Sequence, residues 1–168
     1  MIVDSSALIP LSRVGRLDLL RAMYGRVKTT RDVYRECIDE GAARPGVDAL
    51  REACQTWIEV MRPPKGASRL ADAEGIEPAD ASLLLACERA RDVLLTNDDH
   101  LMRVARARGV RGRWLTGFVI AAARQGLLTP AEAKDLVTQL VGEGLWLAPE
   151  VFVAVLGAID DLKPSARR

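Results

Sequence analysis

Apolar residues fall into short unbroken runs separated by longer stretches with helical spacing. "MIV" (1–3), "GRVKTT" (25–30), "WIEVMRP" (57–63) and "DVLLTN" (92–97) read as short strands. Between them, "SALIPLSRVGRLDLLRAMYG" reads as helical segments broken between Pro10 and Gly15. "TRDVYRECIDEG" reads as a helix with Thr30 as its cap and Gly41 as its stop, and "GVDALREAC" as a further helical piece. "PPKGASRLADAEGIEP" is the most loop-like stretch of the chain. "PADASLLLACERAR" is a strong helix with Pro78 in its first turn, and "DDHLMRVARARG" is the helix after the fourth strand. "VRGRWLTGFVIAAARQG" holds a short strand or turn and then an apolar helix. Thr129, Pro130 and Glu132 spell a capping box at the start of the next helix. "APEVFVAVLGAI" fits a last helix, although "VFVAV" alone also fits a strand.

Strands alternating with helices imply an α/β fold, a three-layer α/β/α sandwich around a short, mainly parallel sheet. Residues 1–160 are expected to form one domain and 161–168 a frayed tail. In such sheets, sites form beyond the carboxyl ends of the strands. Four acids fall at that edge or within reach of it. Asp4 follows the first strand, Glu36 lies in the helix after the second, Asp80 in the first turn of the helix opened by Pro78, and Asp98 after "VLLTN". Asp99 follows directly. Each acid alone has an ordinary reading as a helix cap or a first-turn acid complementing the helix dipole. Together they form a cluster of like charges, which is costly unless a cation offsets it. Oxygen ligands suit Mg²⁺ or Mn²⁺, and a single histidine, His100, argues against zinc.

Composition narrows the picture further. The 168 residues are 49% hydrophobic and carry a formal net charge of +1, so whole-molecule charge selects no partner. From Leu101 to Gln125, however, the chain has Arg103, Arg106, Arg108, Arg111, Arg113 and Arg124 and no acid. That reads as a basic face for phosphates or as an ordinary solvated helix face. Trp114 is placed to stack on a base or to serve the core. Three separated cysteines without a CxxC pair read as reduced thiols. With no basic leader before an apolar run and no membrane-length apolar stretch, a cytoplasmic chain with no membrane role is expected.

The blocks "IVDSSALI", "TTRDVYRECI", "EPADASLLLAC" and "VLLTNDDHLMRVA", in that order, resemble the PIN domain, the fold of small metal-dependent ribonucleases that includes VapC-type toxins. The resemblance spans nearly the whole chain, and the double acid Asp98–Asp99 is similar to a PIN-like subgroup. It implies hydrolysis of RNA phosphodiester bonds with Mg²⁺ or Mn²⁺, and Asp4, Glu36, Asp80 and Asp98 as catalytic acids. Asp4, Asp80 and Asp98 would hold metal, with Asp99 sharing or taking the fourth role. Ser6 and Thr96 would hydrogen-bond the ligating carboxylates. Arg103, Arg106 and Arg113 would contact RNA. The resemblance also implies a toxin–antitoxin role, a cognate antitoxin and a homodimer. The rival reading is a non-catalytic PIN-like module that binds RNA or protein. A receiver domain is disfavoured because "WIEVMRP" offers no phosphoacceptor Asp, and an aspartyl phosphatase because "DSS" lacks a DxD pair.

Overall fold

Five short strands lie side by side, all parallel, in the order β3-β2-β1-β4-β5. They are β1 (Ile2–Val3), β2 (Val27–Thr30), β3 (Ile58–Met61), β4 (Leu94–Thr96) and β5 (Gly112–Trp114) in the computed structural model, which describes residues 1–41 and 44–162. Consecutive strand residues point to opposite faces. Ile2, Val3, Leu94, Leu95 and Thr96 are all fully buried, so helices cover both faces of the sheet centre, as a parallel sheet requires. The expected α/β/α architecture is present, with no antiparallel strand in the five-stranded sheet.

The chain runs outward from β1 through β2 to β3, then returns to the other side for β4 and β5. The order therefore reverses between β1 and β4. The carboxyl ends of those two strands, at Asp4 and Asn97, flank the crevice where α/β sheets place their sites.

The helices are α1 (Ser5–Arg13), α2 (Asp18–Tyr24), α3 (Arg31–Tyr34, continued by a π-helical turn over Arg35–Asp39), α4 (Val47–Thr56), α5 (Ala67–Glu74), α6 (Pro78–Ala90), α7 (Asp99–Ala107), α8 (Leu115–Arg124), α9 (Pro130–Gly142) and α10 (Pro149–Asp160). Two expectations need correction. The first break does not begin at Pro10, which sits buried inside α1. Gly15 ends the helix instead. At φ 67° its N–H bonds to the Ser12 carbonyl at 3.2 Å and Arg16 N–H to Leu11 at 2.8 Å, the double bond of a Schellman stop. The stretch expected to be loop contains α5, whose Leu70 and Ala71 enter the core. Two core residues in eight are too few to give a visible helical period.

The helix starts follow the pattern in position. The Thr129–Glu132 capping box forms in both directions, at 2.7 and 3.2 Å. Thr30 stands at the N-cap of α3, but its hydroxyl meets Ser82 at 2.8 Å and leaves the helix end uncapped. The last apolar run is helix α10, with only Val155 and Ile159 buried. The expected tail, 161–168, lies outside the described residues except for Asp161 and Leu162. Among the described residues, no helix is long and apolar enough to cross a membrane.

Candidate active site

Asp4 fills the capping role expected of its position. It caps α1, accepting from the backbone N–H of Ser5 at 2.6 Å and of Ser6 at 3.3 Å. The Ser5 hydroxyl reaches it at 3.2 Å, the Ser6 hydroxyl at 2.5 Å and the Thr96 hydroxyl at 2.8 Å. Five donors on a carboxylate only 3% exposed fix its position. Ser6 Oγ and Thr96 Oγ1 also accept, from Asn97 N–H at 2.7 Å and Asp98 N–H at 3.0 Å. These two hydroxyls therefore tie the end of β1 to the end of β4. Asp98 caps α7 by accepting from Leu101 N–H at 2.6 Å.

Glu36 projects from the π-helical turn after β2, and Asp80 from the first turn of α6, which Pro78 opens with its preset φ. Asp4, Glu36, Asp80 and Asp98 line one cavity of about 500 Å³. Asp32, Glu40 and Glu77 also line it, and among the described residues Arg35 is its one lining cation. Burial, then the charges of Asp4, Asp98, Glu36 and Glu77, raises Asp80 from 3.8 to about 7. Glu36 is also raised. Desolvation at the cavity wall is the main cause, a hydrogen bond with the Ser5 side chain opposes it, and Asp4 and Glu40 add repulsion.

A family model described as a PIN domain matches residues 1–161. The chain belongs to the PIN domain family. PIN domains are generally nucleases and typically use divalent metals. No curated protein sequence matches this PIN domain.

The donor set fits a hard cation in one respect and limits it in another. A carboxylate-rich lining that raises the pKa of Asp80 to about 7 is the environment that a divalent cation relieves. Among the described residues, however, no three Asp, Glu, His or Cys side chains converge into a set that would hold an ion as they stand. The carboxylates of Asp4 and Asp98 are both engaged at helix caps. This arrangement suits Mg²⁺, which keeps several waters and takes only one or two carboxylates directly, better than a closed protein cage.

The PIN domain does not bring every expected residue here. Asp99 lines a neighbouring cavity and pairs with Arg103 at 3.1 Å, so it stands apart from the other four acids. The arginine stretch that is free of acids in sequence is not free of them in space. Besides that pair, Arg108 bridges Glu74 at 2.9 Å and Glu88 at 2.7 Å. Arg106 lies over the half-buried Trp114 ring, 6.0 Å from its centroid. Arg113 precedes Trp114 in β5, where consecutive side chains point to opposite faces. His100 is an exposed residue near the start of α7. Cys37, Cys54 and Cys87 are free thiols whose pKa values burial pushes up. Sequence reasoning missed Ser5, Asp32, Arg35 and Glu40 as parts of the cavity. Helical spacing from Glu36 marks Asp32 and Glu40, one turn to either side.

Proposed function

We propose that this PIN domain is a Mg²⁺- or Mn²⁺-dependent endoribonuclease that hydrolyses RNA phosphodiester bonds. The observation that carries the reading is the cavity itself. Four carboxylates from four separate elements line it at the sheet's switch point, and one of them is held near pH 7. A purely structural set of caps has no need to share one wall.

Asp4, Asp80 and Asp98 are the residues that would hold the ion, directly or through water. When bound, a divalent ion supplies a hydroxide nucleophile near neutral pH and offsets charge building on the phosphoryl oxygens. Asp4 is preorganised for this by Ser5, Ser6 and Thr96, so little reorientation is required of it. Asp80, its carboxyl raised to about 7, would release its proton on holding the cation. Glu36, its pKa raised by burial, is suited to take the proton of an attacking water at its carboxylate. Arg106 and Arg113 offer charge to flanking phosphates.

From the resemblance of its four blocks to VapC-type toxins, we also place the protein as the toxin of a type II toxin–antitoxin pair. In that reading it is a cytoplasmic homodimer restrained by a cognate antitoxin. The test is incubation of end-labelled single-stranded RNA with Mn²⁺ or Mg²⁺. Cutting by wild type that stops with chelator and in Asp4→Asn is expected. Cutting that survives both refutes the metal mechanism. RNA binding by wild type without any cutting supports the non-catalytic module instead.

A further inference from the structure

A second cavity, of about 330 Å³, adjoins the acidic one. Asn97 lines this cavity and Asp98 lines the acidic one, and neighbouring Cα atoms are ~3.8 Å apart. Trp114 at the end of β5 and Trp146 before α10 contribute indoles, while Asn97, Asp99 and Thr116 contribute polar groups. Two of the chain's three tryptophans therefore stand at one small cavity. Trp146 is 80% exposed, so the core does not account for its place. A large aromatic side chain left in water beside a cavity marks a contact surface.

The lining selects the ligand. Flat indoles suit a flat heterocycle. The Asp99 carboxylate disfavours a phosphate but accepts from an exocyclic amine. The Asn97 amide and Thr116 hydroxyl each both donate and accept. Arg106 over Trp114 brings positive charge for the flanking backbone.

We infer that this cavity is a base-binding subsite that takes one unstacked base of single-stranded RNA onto Trp146 and Trp114 while the adjoining phosphodiester lies over the acidic cavity. The inference rests on the ribonuclease reading above. Bases with an exocyclic amine are preferred to uracil, and duplex RNA is refused because its bases stay stacked.

The test uses the full chain and the variants Trp146→Ala and Trp146→Phe, with unchanged melting as the check on folding. Binding of a labelled single-stranded RNA in EDTA at low salt is followed by anisotropy. The expected loss for Trp146→Ala is about 5- to 150-fold, the range of one stacked base, and Trp146→Phe restores most of it. With Mn²⁺, an RNA carrying one abasic residue at successive positions is cut more slowly by wild type when the gap flanks the scissile bond. Trp146→Ala is indifferent to that gap. Wild-type binding and cutting by Trp146→Ala overturn the subsite and leave the ribonuclease reading intact. Loss of binding by Trp146→Ala while wild type cuts nothing supports the subsite and overturns the ribonuclease reading. Conversion of a dimer to a monomer by Trp146→Ala, with RNA binding unchanged, overturns the subsite in favour of a second copy of this chain.

Discussion

Replacing Asp80 with Asn should make the metal-free protein more stable at pH 8 and leave it unchanged near pH 4. Unlike Asp4 and Asp98, Asp80 caps no helix, so the substitution removes charge without removing a cap. Its carboxyl is raised from 3.8 to about 7, by burial first and then by Asp4, Asp98, Glu36 and Glu77. At about 1.4 kcal/mol per pH unit, that displacement corresponds to ~4 kcal/mol. Asp80 remains partly open to water, and screening reduces the figure to about 2 kcal/mol. Between roughly pH 4 and 7 the folded chain keeps a proton on Asp80 that the unfolded chain has lost. Stability therefore falls as pH rises through that window, and the full penalty stands above it. Asn cannot ionise and escapes the penalty. The two proteins should separate by ~4–8 °C in Tm at pH 8 and converge near pH 4. Thermal unfolding followed by circular dichroism in EDTA, from pH 4 to 8, reads this directly. Mn²⁺ at pH 8 should narrow the gap, because it binds the ionised carboxylates of the folded state. A gap that does not change with pH, or a wild type more stable at pH 8, refutes the reasoning.

Three further outcomes are expected. Thr96→Val strips the buried hydroxyl that donates to Asp4 and accepts from Asp98 N–H. Denaturant unfolding should show a loss of about 1–3 kcal/mol, and RNA cutting should fall ~10–100-fold. Gly46→Ala puts a side chain at φ 84°, with its Cβ 2.7 Å from the Ser12 carbonyl carbon; the urea midpoint should drop by the equivalent of about 2 kcal/mol or more at unchanged m-value. Arg106→Ala should weaken RNA binding alike for all sequences and reduce the log–log salt slope by about 1.

Much of this was legible because the strands are short, fully apolar and followed at once by their acids. Asp4 after "MIV" and Asp98 after "VLLTN" could be placed at one sheet edge from alternation alone. Pro78 located Asp80, and the acid-rich turn around Glu36 lay within reach. What escaped depends on packing between distant segments. α5 buries only Leu70 and Ala71, too little to show a period. Pro10 is a helix breaker by chemistry, yet it sits in α1, and Gly15, with its positive φ, makes the stop. The basic run from Leu101 to Gln125 is free of acids only along the chain. Glu74, Glu88 and Asp99 lie outside or just before the run, and only the fold brings them against Arg108 and Arg103. Asp98 and Asp99 are neighbours in sequence but line different cavities, since Asp98 is the extended cap of α7 and Asp99 its first helical residue. Trp146 carries no sequence signal beyond its rarity.

That separation of Asp98 from Asp99 offers the most direct test of the account. The measurement is the metal-concentration dependence of single-stranded RNA cutting by wild type, Asp98→Asn and Asp99→Asn, each checked for an intact fold by melting. Asp98→Asn is expected to lose more than the ~10–100-fold typical of a residue one step removed from a metal. Asp99→Asn is expected to keep the wild-type metal dependence. Equal losses in both variants, or cutting by wild type that persists in chelator, would contradict the assignment of the acidic cavity as a metal-dependent nuclease site.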